Sequence, residues 1–377
     1  MTTTASPTHK RGQKSAVFPL TWAPETELLG LVLELTPRAP SYLYTQYTIG
    51  LHAWLLSQVQ QTDPELSKIL HDEQSEKAFT ISGLEGELLT SGKEFQLIAD
   101  KTYRWYVTAL SMPVAQWMQQ WMQKLPEVLE LRNAPLLIRS CDIDLPPTTY
   151  IQLLENNSQT PATLKLSFLT PTSFRSKNHH FPLPVPRNVF HSYLRRWNNF
   201  SGTEVDRESF LDWVDENVII LRHKLESIKV AAGKKGMVTG FTGAVEFGLS
   251  RTANEATKFV QLFYALGRVA PYCGTGHKTT FGLGQTRAGW LANQTIAAPS
   301  IQTVLADRIA ELTEEFTAQR KRTGGSRAHE IAETWATILA RRDLGESLLD
   351  ISEDLEMPYE TVKTYAKLAR RALKSEG

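Results

Sequence analysis

A chain of 377 residues carrying 41 Lys+Arg against 40 Asp+Glu is long enough for two or three domains with their own cores. Its 21% charged and 41% hydrophobic residues are ordinary for a globular protein, and no apolar run has the roughly 20 residues of a membrane span. Two cysteines far apart, Cys141 and Cys273, exclude a disulfide framework and a cysteine metal cluster, and a cytoplasmic setting is expected.

The net charge of +1 hides an asymmetry. Residues 1–159 hold 12 Lys+Arg and 17 Asp+Glu (net −5), residues 160–290 hold 17 and 9 (net +8), and residues 291–377 hold 12 and 14 (net −2). The middle segment would therefore attract a phosphate-rich partner.

In chain order, residues 1–20 are Thr/Ser-rich and basic without an apolar segment behind them, and read as a disordered leader. Residues 28–35 form a strand-length apolar run closed by Thr36-Pro37. A helix is expected over 45–61, with Ile49, Ala53, Leu56 and Val59 on one face, ended at Asp63-Pro64; a short second helix precedes His71-Asp72. Residues 79–81 and 103–110 alternate like strands, with Tyr103, Trp105, Val107 and Ala109 on one face. A tryptophan-rich helix opened by Pro113 and a strand over 136–145 complete a β-α-β-β-α-β order, a ferredoxin-like unit.

The order then repeats: a strand over 163–169, a helix over 187–199, a hairpin of 228–231 and 237–249 around Gly233-Lys234-Lys235-Gly236, a helix over 254–266, and a last strand over 285–290. The fold class is α+β, two tandem ferredoxin-like domains (21–150 and 160–292) followed by an all-α segment (298–377). That segment holds a helix over 301–319, a basic linker at 320–327, and a leucine-rich helix, Met357-Pro358 turn and second helix that read as a helix-turn-helix. Thr361, Lys363, Thr364 and Lys367 are expected on its exposed face. DNA and a partner protein are both open as its target. Residues 320–377 are nearly balanced, 11 basic to 10 acidic, whereas non-specific DNA affinity needs a cationic excess.

Before the last strand lies Cys273-Gly274-Thr275-Gly276-His277-Lys278-Thr279-Thr280-Phe281-Gly282-Leu283-Gly284. Two Gly-x-Gly pairs allow positive φ and close backbone approach, so amide N–H groups can converge on an anion, with His277 and Lys278 adding charge. No Gly-Lys-Ser/Thr follows at Walker spacing, and the helix precedes the loop, contrary to a dinucleotide fingerprint.

The run Phe168-Leu169-Thr170-Pro171-Thr172-Ser173-Phe174, then Pro182-Leu183-Pro184, Val189-Phe190 and Arg195-Arg196-Trp197-Asn198, resembles the central block of the CRISPR repeat-processing endoribonucleases, stand-alone enzymes of the RAMP superfamily. The glycine loop resembles that superfamily's terminal loop, including its basic residue. Gly50-Leu51-His52-Ala53-Trp54-Leu55, with Asp63-Pro64 and Leu70-His71-Asp72 behind it, resembles the first helix of these enzymes. The resemblance covers residues 28–290. It implies metal-independent RNA cleavage, with the 2′-hydroxyl attacking the adjacent phosphate to leave 2′,3′-cyclic phosphate and 5′-hydroxyl ends. It implies no cofactor, CRISPR repeat RNA as partner, and membership of an effector complex as a further option.

On this resemblance His52 is the proton-transfer residue, since histidine titrates near neutrality. A tyrosine ahead of the helix assists in some members; Tyr42, Tyr44 and Tyr47 are near, and Tyr44 and Tyr47 are taken as candidates. The lysine that often follows the family's histidine is missing, as residues 55–61 hold none, leaving Lys278, Lys234 or Lys235 to supply charge. For RNA binding the candidates are Gly274, Gly276, His277, Lys278, Gly282, Gly284, Lys234, Lys235 and Arg195. Trp197 reads as core, with Arg195 and Arg196 solvated beside it, and His179-His180 as loop residues within reach of RNA. The alternatives are an inactive relative that holds the repeat or guide, and a regulator acting through the C-terminal helices.

Overall fold

The computed structural model describes residues 21–43, 47–71, 76–91, 94–156, 163–176, 179–231, 237–291, 301–318, 326–343 and 348–374. Strand β1 (Leu28–Pro37) lies at the centre of the first sheet with Leu29, Leu31, Leu33 and Leu35, which share one face, all fully buried. It pairs antiparallel with β6 (Tyr103–Ala109) on one side and β8 (Leu136–Thr148) on the other, while β3 (Phe79–Glu85) lies beyond β6 and β7 (Val128–Leu129) beyond β8. Tyr103, Trp105, Val107 and Ala109 are fully buried, the alternation expected of β6. Helices α1 (Tyr47–Thr62) and α3 (Met112–Met122) supply the other half of this core, where Trp54 meets Trp105 and Trp121 edge-on at 5.8 and 6.0 Å.

Helix α1 turns a different face inward than its aliphatic spacing suggested. Leu56 and Val59 are buried, but Ile49 and Ala53 face outward, and Tyr47, Leu51, Trp54 and Leu55 fill the core instead. The large aromatic surfaces of Tyr47 and Trp54 gain more from burial than Ile49 and Ala53 would, which rotates the helix. Helix α2 (Pro64–His71) ends on an exposed His71. Strands β2 (Ser41–Leu43), β4 (Leu88–Ser91) and β5 (Glu94–Leu97) form a small separate sheet, and α4 (Tyr150–Glu155) opens on a capping box between Thr149 and Gln152.

The second unit repeats the topology. Strands β12 (Val218–Ala231), β13 (Met237–Leu249), β9 (Leu164–Thr172) and β14 (Thr286–Ala288) lie in that order, the order in which β3, β6, β1 and β8 lie in the first sheet. Helix α5 (Pro186–Phe200), α6 (Arg207–Asn217) and α7 (Thr257–Cys273) pack on it around Phe190, Tyr193, Trp197, Phe247 and Phe263. Strand β12 is much longer than the short hairpin arm expected, because its pairing with β13 runs unbroken in direction from Val218↔Leu249 to Ala231↔Met237. The Lys234–Lys235 tip lies outside the described residues. His179 and His180 belong to a strand, β11 (His179–Phe181), which pairs with β10 (Phe174–Ser176), and not to a loop.

The two units share a polar joint. Tyr272 O, near the end of α7, accepts from Thr108 Oγ1 at 2.6 Å and Thr80 Oγ1 at 3.3 Å. Arg287 of β14 pairs with Asp144 of β8 at 2.7 Å, and Gln285 donates to Glu85 at 3.2 Å. Beyond them α8 (Ile301–Ala318) packs along β12 and against α9 (Ser326–Asp343). Leu305, Ile309, Leu312 and Phe316 join Ala332, Ala336, Leu339 and Ala369 in a separate small core. Helices α10 (Leu348–Asp354) and α11 (Tyr359–Lys374) are joined by a turn through Glu356, whose φ is +52°. No helix among the described residues is long and apolar enough to cross a membrane.

Candidate active site

Helix α7 ends at Cys273 and the chain folds back on itself through the glycine loop. All four loop glycines have positive φ, and backbone packing explains why: a Cβ on Gly284 would lie 2.0 Å from Thr275 O, and one on Gly276 2.4 Å from Ser173 O. The loop amides are spent on protein acceptors. Thr275 N donates to Gly284 O (2.8 Å), Gly276 N to Ser192 Oγ (2.9 Å), Gly284 N to Pro171 O (3.2 Å) and Gln285 N to Thr170 Oγ1 (2.8 Å). The amides of Thr275, Gly276, Gly284 and Gln285 are therefore not free to converge on an anion. Gly274, Gly276, Gly282 and Gly284 are buried, so these glycines serve the packing of the loop against its neighbours.

A buried arginine locks it. Arg196 of α5, 4% exposed, donates through Nη2 to Gly276 O (3.1 Å) and Thr279 Oγ1 (3.2 Å) and through Nη1 to Ser192 O (2.9 Å) and Ser192 Oγ (3.0 Å). Tyr193 Oη lies 2.6 Å from Thr275 Oγ1, which is itself 2.7 Å from Thr286 Oγ1. The expectation that Arg196 is solvated is wrong. Its side chain falls on the inner face of α5 with Ser192 and Tyr193, and four oxygens stand in for its water.

The locked loop is laid against the first unit. Its short turn Thr279–Phe281 packs on β3 and α1, and the ring of Phe281 stacks on the imidazole of His52 with centroids 4.5 Å apart and planes at 26°. Phe79 of β3 flanks the same imidazole at 5.7 Å. His52 is half-buried, and desolvation, with the positive influence of His71 and Lys77, brings its pKa down to about 4. At neutral pH it is an uncharged imidazole able to accept a proton. Lys278, in the left-handed conformation at the head of the Phe281 turn, is exposed as a residue, yet protein around it partly desolvates its ammonium. That enclosure lowers its ammonium below the ordinary lysine value, against the pull of Asp354 on α10 and with the push of Arg341 on α9.

Of the other expected residues, Tyr47 is buried, accepts the Leu84 N–H at 3.0 Å and has its pKa pushed up to about 12 by burial. This is a packing role, remote from solvent. Tyr44, like Lys234 and Lys235, lies outside the described residues, and Tyr42 is exposed. His277 turns inward, its Nδ1 lying 3.0 Å from Ser173 O. Arg195 pairs with Glu76 at 2.6 Å and lines an open depression of about 670 Å³ between α5 and the start of α6. Trp197 is core, 1% exposed. Lys77, just ahead of β3, was missed because nothing in its local sequence ties it to His52; only the fold of β3 beside α1 does. Phe281 and Arg196 were missed for the same reason, although Phe281 sits inside the glycine loop.

Two ferredoxin-like units in tandem, with a first-helix histidine facing a glycine loop of the second, define the class of RAMP-fold proteins. Residues 29–123 match the family model "CRISPR Cas6 N-terminal domain", and residues 166–286 match "CRISPR-associated endoribonuclease Cas6". The chain belongs to the Cas6 family. It is 25% identical over 136 residues to the CRISPR-associated endoribonuclease Cas6 of Streptococcus thermophilus, covering 35% of this chain and 54% of that one. It is 27% identical over 135 residues to Cas6 of Mycobacterium tuberculosis, covering 36% and 41%. The matches thus span about half the length of these curated relatives, or less. Among solved structures, a Cas6 product complex superposes with a TM-score of 0.54 at 27% identity, over 70% of this chain and 99% of that one. Thermus thermophilus Cas6 superposes at 0.51 with 23% identity over the same shares, a likeness of fold. Neither family model reaches past residue 286, so α8–α11 lie beyond both.

Proposed function

We propose that this protein is an endoribonuclease that cuts CRISPR precursor RNA within its repeats, by metal-independent attack of a 2′-hydroxyl on the adjacent phosphate. The observation that carries the reading is the contact of His52 with the glycine loop: a neutral, half-buried imidazole held by Phe281 at 4.5 Å. A ring nitrogen of His52 takes the 2′-hydroxyl proton as the 2′-oxygen bonds to phosphorus. The bond from phosphorus to the 5′-oxygen breaks, and that oxygen receives a proton, leaving a 2′,3′-cyclic phosphate and a 5′-hydroxyl. The phosphorane formed on the way is a dianion; Lys77, which acts on His52, and Lys278, which heads the turn that carries Phe281, are the cations that would offset it. Lys278, its ammonium made more acidic by enclosure, is suited to give the leaving oxygen its proton. These two lysines take the place of the absent lysine after His52.

The test is cleavage of a repeat RNA in excess EDTA by the wild type and by His52→Ala, beside a substrate with a 2′-deoxy nucleotide at the cut site. The wild type should cut, leaving a cyclic phosphate. The deoxy substrate should resist, and His52→Ala should lose roughly 10²–10⁴ in rate. Undiminished cutting by His52→Ala would sink the assignment of the base, and binding without cutting would make the protein an RNA holder.

A further inference from the structure

The C-terminal helices carry a charge pattern that their near-neutral total conceals. Residues 343–360 hold seven acidic residues and no basic one, whereas residues 361–374 hold five basic residues and no acidic one. Among the acids Glu353, Glu356 and Glu360 are exposed, and Asp354 is partly buried. Asp354 of α10 pairs with Arg341 of α9 at 2.7 Å, and Arg341 is only 3% exposed. Both charges act on Lys278 of the glycine loop, which puts the α9–α10 pair beside the candidate active site. Helix α11 presents its apolar residues Val362, Ala366 and Ala369 inward and leaves Lys363, Lys367, Arg370 and Arg371 exposed. Lys363 is held by Glu360 at 3.3 Å. Lys367, Arg370 and Arg371 have no carboxylate partner among the described residues. The unit is seated firmly, since α8 packs along β12 of the second ferredoxin-like sheet.

We infer that α11 is a second RNA-binding surface, on which Lys367, Arg370 and Arg371 hold phosphates of the same RNA whose cut site lies at His52. The inference rests on the function proposed above and extends it to the helices beyond the family's usual body. RNA is favoured over reading of duplex DNA by where the charge lies. A recognition helix reads base edges with its N-terminal residues, yet α11 begins with Tyr359-Glu360, and exposed Glu353 and Glu356 lie just before it. That end repels a duplex backbone. The cations sit in the second half of the helix, spaced to run along a phosphate chain rather than to enter a groove end-on.

The experiment uses the full chain and the triple variant Lys367→Glu, Arg370→Glu, Arg371→Glu, all on exposed positions, with thermal unfolding compared to show an intact fold. Affinity is read by fluorescence anisotropy on a repeat RNA carrying a 2′-deoxy nucleotide at the cut site, so binding is measured whether or not the protein cuts. The variant should bind roughly tenfold or more weakly near 0.15 M salt, and its log–log salt slope should fall by about 2, near 0.7 per lost contact. Its single-turnover cleavage rate at saturating protein should match the wild type. Unchanged RNA affinity and slope would overturn the inference, leaving the row a solvated face. Equal RNA affinity with selective loss of duplex-DNA binding would overturn it in favour of a DNA-directed role. A wild type that binds this RNA but never cleaves the all-ribose version refutes the nuclease reading alone, and the affinity comparison still decides the role of α11.

Discussion

Replacing Arg196 by Met keeps most of the side-chain volume and deletes the guanidinium that fastens the glycine loop to α5. Two of its four hydrogen bonds cross to the loop, at 3.1 Å to Gly276 O and 3.2 Å to Thr279 Oγ1. Hydrogen bonds to a charged group contribute about 1.5–3 kcal/mol each. Losing the loop pair therefore costs about 3–6 kcal/mol, offset in part because a buried cation no longer needs to be desolvated. A net destabilisation of roughly 2–4 kcal/mol is expected. The functional loss should exceed what unfolding explains. Thr279 begins the turn that carries Phe281, which stacks on His52 at 4.5 Å, and a shift of about 1 Å at a reacting group can cost about 10²-fold in rate. The assay is single-turnover cleavage at saturating protein, well below the midpoint of thermal unfolding, with Arg196→Lys in parallel. Lysine keeps the charge but cannot span both loop acceptors with one planar fork, so it should recover stability better than rate. RNA affinity should change little, since Arg196 is buried. A wild-type rate in folded Arg196→Met would refute the idea that the loop positions His52 through Phe281. So would a loss confined to affinity.

Three further outcomes are expected. The acidic limb of kcat/KM for cleavage should fall near pH 4 rather than 6.5, because burial of His52 disfavours its protonated form; a limb at 6.5 would mean a solvated histidine. The same shift links folding to pH. The unfolded chain takes up the proton first, so stability falls as pH drops from 6.5 towards 4, by roughly 3 kcal/mol in all. Denaturant unfolding of His52→Gln should lack that dependence. Gly284→Ala should destabilise by more than about 2 kcal/mol, since φ is +68° and the added Cβ would meet Thr275 O at 2.0 Å; a wild-type melting temperature would show that the loop can relax.

Much of the fold was legible because periodicity reports burial. Leu29, Leu31, Leu33 and Leu35, and Tyr103 through Ala109, alternate as strands must, and Leu262, Phe263 and Leu266 mark α7, so the β-α-β-β-α-β order could be read twice along the chain. The left-handed glycines were legible too, since few other residues tolerate those angles. Local pattern reached no further. Whether α1 turned Ile49 or Trp54 inward depended on the neighbours Trp105 and Trp121. Whether the glycine amides were free depended on Ser192, Pro171 and Thr170, all distant in sequence. Of two adjacent arginines, one pairs with Glu76 at the surface and the other is buried as the clamp of a loop eighty residues away. The sequence alone determined the order of the main strands and helices of the two ferredoxin-like units and which residues could do acid–base chemistry, because those properties are local. The strand of His179 and His180 and the length of β12 were set by pairing with β10 and β13. Only the tertiary structure decided that His52 meets Phe281 and feels Lys77, and that Asp354 of α10 pairs with the buried Arg341 while the cations of α11 face solvent. Desolvation and Coulomb interactions act across space and take no account of separation along the chain.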